Sequence, residues 1–280
     1  MAGKRAWLMG GFRFAPGARY RMPVLFGPTV GPRQGPQGQT YDLTNAPFTQ
    51  TSVRFLSEGA ALDALLPERF ALDGDPVVTV EHTILHDLGW LGGRAYSMLG
   101  VKLPVMFDGR DRVLRGDLLT VLWENRPEPI LSGREELGFA KLFCDLPEPQ
   151  VVDTRRICRA SWDGFTFCTL DLDDLAEAPV PQGAARDGTL HYAYRPPFDG
   201  ATHEDCVTVM LSPAPRVPAR AIEHRTGRAR IAWHPATFEQ LPTMFQVVNT
   251  LAALPVVEDL GGRVLRGAGR SDLADQHAVA

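Results

Sequence analysis

Of the 29 basic residues in this chain, only three are lysine, at positions 4, 102 and 141, and the rest are arginine. Arginine can stand at almost any solvated position that lysine occupies, so a lysine kept in such a sequence points to a role for a titratable amine. Lys141 has the surroundings for one. Leu137, Gly138, Phe139 and Ala140 precede it, and Leu142 and Phe143 follow. Burial among such neighbours disfavours the ammonium, by up to roughly 3–5 pKa units for a fully buried lysine, and leaves an amine able to attack a ketone. The same surroundings also suit a structural lysine whose stem lies along apolar surface while its head reaches water or Asp145.

Glu81 stands in the run VVTVEHTIL (77–85). Strand alternation puts it on one face with Val77, Thr79, Thr83 and Leu85, opposite Val78, Val80, His82, Ile84 and His86. If the Glu81 face lines a cavity, its carboxylate can move protons; if it faces water, it is a solvated surface charge. His82 and His86 have a spacing that pairs imidazoles on a helix, but on a strand it holds them more than roughly 12 Å apart, so no metal site is expected. Asp171, Asp173 and Asp174 lack the glycine and closing glutamate of a calcium loop and read as a solvated turn. Cys144, Cys158, Cys168 and Cys206 form no CxxC pair and read as reduced, buried thiols. The glycines of GGRVLRGAG (261–269) make no dinucleotide fingerprint, and no nucleophile-elbow or phosphate-loop signature occurs.

These groups need elements to hold them. From Ser52 onward the chain reads as short β-type runs at 52–56, 77–85, 104–107, 118–123, 151–157, 165–172, 190–195, 206–212 and 229–234, bounded by Gly, Pro or Asp turn signals. Two segments carry helical spacing instead, 59–68 and 243–254, each stopped by a proline. Many strands with two helices and no alternation of the two predict one mainly β domain over 51–265, its antiparallel sheet strongly coiled or closed. Residues 1–50, dense in Gly and Pro, form an extended arm, and 266–280 a flexible tail.

A net charge of −4 with scattered arginines argues against a nucleic-acid surface, and no apolar run is long enough for a membrane helix. The basic start has too short an apolar stretch for a secretory signal, so a cytoplasmic protein acting on a small molecule is expected.

At LSGREELGFAKLF (131–143) the sequence resembles the acetoacetate decarboxylase family, whose Schiff-base lysine follows a Gly-Arg-Glu motif at this spacing. Lys141 falls on that lysine. PERFALDGDPVVTVEHTILHD (67–87) resembles the family's strand bearing a catalytic glutamate, with Glu81 at that position. The segments 103–109, 124–135, 192–200 and 229–248 continue the likeness in order, so roughly 50–265 is covered. The resemblance implies a mainly β fold with a cone-like barrel and a few flanking helices, a homo-oligomer, no cofactor, and an oxo acid substrate. In this family desolvation or a neighbouring cation makes the lysine nucleophilic.

The chain also departs from the family. Leu142 stands where the decarboxylases carry a second lysine, Met98 where they carry a second acidic residue, and the segment 45–52 has no counterpart of their substrate-binding arginine. Arg134 is then the candidate cation near Lys141, and Trp90, Tyr96, Met98 and Phe139 are candidate pocket residues for a substrate larger or more apolar than acetoacetate. Three activities follow as expectations. The first is decarboxylation of a 3-oxo acid through a Lys141 imine, with Glu81 protonating the enamine. The second is condensation of pyruvate or another 2-oxo acid with an aldehyde, followed by loss of water. The third is a scaffold that binds a small carbonyl compound without turnover.

Overall fold

In the computed structural model the described residues are 11–181, 186–200, 206–271 and 273–280, so Lys4 and the first part of the arm lie outside them. Strands β1 (Pro47–Leu56), β2 (Phe70–Leu72), β3 (Val77–Leu88), β4 (Arg94–Asp108) and β5 (Val113–Glu124) come first, with helix α1 (Gly59–Asp63) between β1 and β2. Helix α2 (Pro127–Ser132), a π-helical turn over Gly133–Leu137 and the short strand β6 (Lys141–Phe143) follow. Next come β7 (Gln150–Val152), β8 (Arg155–Trp162), β9 (Phe165–Glu177), β10 (Gly188–Tyr194), β11 (Val207–Pro213) and β12 (Arg220–Trp233). Helix α3 (Phe245–Ala252) and strands β13 (Glu258–Ala268) and β14 (His277–Ala278) complete the chain. No helix among the described residues is long and apolar enough to cross a membrane.

The strands join in one sheet ordered β14-β11-β10-β5-β4-β3-β1-β13-β12-β9-β8-β7, with β2 on β4 and β6 on β5. Two features differ from the expected antiparallel, closed sheet. β5 pairs in parallel with both β6 and β10, and the two ends of the sheet stay open. The parallel pairings arise because the chain returns to β5 by crossovers, one of them built from α2 and the π turn, which reverse its direction before it re-enters the sheet. An isolated bridge between Asp145 and Ser161 joins the chain just after β6 to β8, on the far half of the sheet.

The sheet coils so that one face closes on itself. Trp123 of β5, fully buried, lies 5.3 Å from the Phe167 ring of β9 and 6.0 Å from the Trp233 ring of β12, and its indole N–H donates to Met244 Sδ just before α3. Val80, Leu99, Val101 and Val121 pack on the same side. Period-two alternation therefore sends the intervening residues of β3, β4 and β5 to the other face, and among them are Glu81, Met98, Leu122 and Glu124.

The described part of the arm, through Arg21 and Arg33 to Glu136, and the end of the chain are both tied to this body. In the arm, the Gln34 side chain bonds the backbone of Arg19 and Thr29. At the end of the chain β14 pairs with β11, and Val279 N–H donates to Val209 O at 2.8 Å. Of the expected segments, 151–157 is split by a turn at Asp153, whose φ of 51° breaks the strand into β7 and β8.

Candidate active site

Lys141 is the first residue of β6, and its place follows from the motif before it. Pro127 presets the first turn of α2, and Arg126 before it is extended, as a residue preceding proline must be. The π turn then brings Gly133 against the lysine stem: a Cβ there would fall within 2.6 Å of Lys141 Nζ. Arg134 Nη1 donates to the Lys141 backbone carbonyl at 2.8 Å. Gly138, at φ 72°, turns the chain where a Cβ would collide with that of Ala193. Gly133, Arg134 and Gly138 thus explain the spacing of the motif: one makes room for the lysine, one holds its backbone and one returns the chain to the sheet.

The Lys141 side chain is buried, at 5% exposure, and Nζ donates to Pro129 O at 2.9 Å. Its ionic partner is Glu124, whose Oε1 lies 2.8 Å away. Glu124 ends β5, is fully inaccessible, and its carboxylate oxygens have no hydrogen bond of good geometry. β5 and β6 run parallel with Leu122 opposite Lys141, so Glu124 projects from the same face one pleat further on. Burial pulls the Lys141 pKa down although Glu124 opposes it, and burial pushes the Glu124 carboxyl up although Lys141 opposes that. The lysine is therefore desolvated, as its neighbours in the sequence imply, but its partner is Glu124 and not Asp145.

Phe139 and His191 complete the wall. The Phe139 ring lies 5.3 Å from Lys141 Nζ and stacks on His191 at 3.9 Å. His191 Nε2 pairs with Ser212 Oγ at 2.9 Å, and burial holds this imidazole neutral down to a pKa of about 3. On β4, Met98 sits directly opposite Glu124. Tyr96, two residues back on the same face, is buried, and burial together with the Glu124 charge pushes its phenol pKa up. Trp90 joins through an edge contact to Tyr96 with ring centroids 6.4 Å apart.

Glu81 occupies a different part of that face. Pairing runs in one row from Arg263 through Ser52, Glu81, Gly100 and Leu122 to Lys141. The backbones of Glu81 and Lys141 are therefore three strand spacings, or about 14 Å, apart along the row. The Leu122 side chain fills the space over Gly100 between them. Glu81 instead lies 2.5 Å from Lys102 Nζ and 3.7 Å from Arg263, lining a cavity of about 330 Å3 with Arg54, Asp117 and Arg186. Burial raises the Glu81 pKa, but Lys102 and Arg263 outweigh it and hold the carboxyl below its ordinary value.

The expected site residues thus separate into three groups. Lys141, Phe139, Tyr96 and Met98 share one face, with Trp90 against Tyr96. Arg134 grips backbone, so it is placed to position Lys141 and does not reach its amine. Glu81 belongs to a neighbouring ionic cluster. Sequence reasoning passed over Glu124 and His191. Glu124 closes the apolar run LLTVLWE, and a carboxylate at the end of such a strand was the available signal; its pairing with Lys141 exists only once β6 docks beside β5.

His82 is buried with neither ring nitrogen bonded, and burial lowers its pKa to about 4, while His86 Nε2 pairs with Thr49 Oγ1 at 3.3 Å. Among the described residues no cluster of metal-ligating side chains is assembled. Cys144, Cys158 and Cys168 are buried thiols and Cys206 is partly buried.

Comparison with known proteins gives this arrangement a context. A family model described as acetoacetate decarboxylase matches residues 21–269. The acetoacetate decarboxylase of Clostridium botulinum (strain Eklund 17B / Type B) is 30% identical over 100 residues, which are 34% of this chain and 38% of that protein. The chain therefore aligns with well under half of that relative's length. A solved acetoacetate decarboxylase superposes with a TM-score of 0.65 at 18% identity, over 85% of this chain and 88% of the other. The enduracididine biosynthesis enzyme MppR, complexed with the condensation product of pyruvate and imidazole 4-carboxaldehyde, superposes with a TM-score of 0.58 at 14% identity, over 88% of this chain and 94% of the other. Both structural likenesses concern the fold.

Proposed function

We propose, on the premise that this chain belongs to the acetoacetate decarboxylase family, that it is a lyase in which the Lys141 amine forms an imine with the ketone of a small oxo acid. The observation that carries this reading is the buried amine itself, lowered in pKa and seated by Gly133 and Arg134, in a motif that resembles the one bearing the family's reactive lysine. In the family's default reaction, the imine of a 3-oxo acid accepts the electron pair released as the carboxylate leaves as CO2, the resulting enamine is protonated on carbon, and water frees the ketone. The apolar wall of Phe139, Met98 and Leu122 favours this step, because a desolvated carboxylate is raised in energy more than neutral CO2.

A second reaction uses the same imine. Pyruvate or another 2-oxo acid would lose a proton to give the enamine, which attacks an aldehyde before water leaves. Its support is the MppR likeness, together with a carboxylate touching the reactive nitrogen, which suits proton abstraction better than loss of CO2.

Borohydride reduction of the full chain with acetoacetate and with pyruvate, followed by peptide mapping, tests the imine. A reduced adduct on Lys141 is the expected outcome, and CO2 release against consumption of added aldehyde then separates the two reactions. No adduct with either acid would leave a carbonyl-binding scaffold as the better reading. A homo-oligomer acting outside any membrane is part of the same proposal, checked by light scattering on the purified chain.

A further inference from the structure

We infer that Glu124 is the acid–base partner of Lys141, taking the proton that frees the amine and returning it to the hydroxyl that must leave as the imine forms. This deepens the imine reading and rests on it. The geometry is direct: the Glu124 carboxylate is fully inaccessible, touches Nζ at 2.8 Å and has, among the described residues, no other partner that would use up its lone pairs. Nζ in turn has one further acceptor, Pro129 O.

A carboxylate beside an amine ordinarily keeps the amine protonated. In a water-free site the balance changes, since burial disfavours both charges of the pair while their attraction favours them. The ion pair and the neutral pair hold the same number of protons, so one short transfer converts ammonium and carboxylate into amine and carboxylic acid with no change in net charge. Such a pair supplies a nucleophile without the second lysine that Leu142 replaces.

The steps balance. The amine lone pair forms the C–N bond as the carbonyl π pair moves to oxygen. One proton passes from nitrogen to that oxygen by way of Glu124, leaving a neutral carbinolamine beside a carboxylic acid. The acid then protonates the hydroxyl, the C–O bond breaks, water departs and the nitrogen lone pair closes the C=N bond. An iminium now faces the Glu124 carboxylate, which is the charge arrangement of the starting ion pair.

The other groups facing this site are committed elsewhere or cannot titrate usefully. His191 on β10 is bonded to Ser212, and burial together with the Lys102 and Lys141 charges holds it neutral. Tyr96 on β4 is held protonated by burial and by Glu124. Arg134 on the π turn bonds the Lys141 carbonyl, and Glu81 on β3 is held by Lys102 and Arg263.

The test compares borohydride trapping rates of the full chain with acetoacetate and pyruvate, across pH, for wild type, Glu124→Gln, Glu124→Asp and Asp171→Asn. Trapping in Glu124→Gln is expected to slow at least about 100-fold, the scale of a lost acid–base group. Glu124→Asp should keep part of the rate with a displaced pH profile, and Asp171→Asn, whose carboxylate pairs with Arg155 at the surface, should trap nearly as wild type does. If wild type is trapped and Glu124→Gln matches it in rate and pH profile, the inference falls while the imine reading stands. If wild type is never trapped, both fall. Should Glu124→Gln not fold, an unchanged pH profile in Glu124→Asp overturns the inference.

Discussion

At the scale of the residue, the difference between Lys141 and Lys102 shows how partners decide what an amine can do. Each faces a glutamate, but Lys102 is partly exposed, and although burial lowers its pKa, Glu81 and Asp117 raise it further, so it stays ammonium. Lys141 is sealed, and there burial prevails. Arginine keeps charge and bulk but forms no imine, so Lys141→Arg should abolish both turnover and borohydride trapping, while Lys102→Arg should keep trapping within about tenfold of wild type; adduct mass on the two variants checks this. The buried histidines make a separate prediction about stability. His191 and His82 have folded pKa values of about 3 and about 4, both below the unfolded value. As pH falls below about 6.5 the unfolded chain binds protons that the folded chain does not, so each histidine removes up to about 1.4 kcal/mol per pH unit. The His191 loss continues to about pH 3 and the His82 loss to about pH 4. Urea midpoints measured from pH 7 to pH 4 should fall steeply, and His191→Gln should flatten that slope.

The elements explain how such residues are held. β6 has three residues and would carry no precision by itself, but its parallel pairing with β5, the α2 crossover and the π turn fix it on every side. Gly133 is the tightest point, because any added Cβ meets the end of the Lys141 side chain. Gly133→Ala should cost about 1–3 kcal/mol by overpacking and displace the amine, slowing trapping more than it lowers the melting temperature would suggest; thermal unfolding and trapping measured on the same sample separate the two effects. On the opposite face Trp123 anchors the coil of the sheet through Phe167, Trp233 and Met244. Removing its side chain in Trp123→Ala should cost about 3–5 kcal/mol, read as a shifted denaturation midpoint.

Across the whole molecule, both ends of the chain converge on the π turn that covers Lys141. From the arm, Arg21 and Arg33 both pair with Glu136. From the other end, Gln276 Nε2 donates to Leu137 O at 2.9 Å, and from the middle of the chain Arg195, just after β10, bonds Glu135 O. The arm thus places these two arginines on the π turn of its own chain. Glu136→Gln leaves two mostly buried guanidinium groups short of a counter-charge, a loss of about 1–3 kcal/mol. Its expected effect is faster amide hydrogen exchange confined to 133–137 and to the arm, with the strands unchanged.

By itself the amino-acid sequence determined the strand-rich body, because alternation and turn residues act locally, and it singled out Lys141, because apolar neighbours on both sides favour burial of its side chain. It also determined the face that Glu81 shares with the site, since alternation along β3 is a property of the strand alone. Tertiary structure decided the rest. Whether the sheet closes depends on how far its coil carries β7 and β14 around the core, which no local pattern encodes. The crossover that lays β6 parallel to β5 decided that Glu124, and neither Asp145 nor Glu81, touches the lysine. That choice is a matter of register between strands, where one pleat or one strand spacing moves a carboxylate into contact with the Lys141 nitrogen or out of its reach.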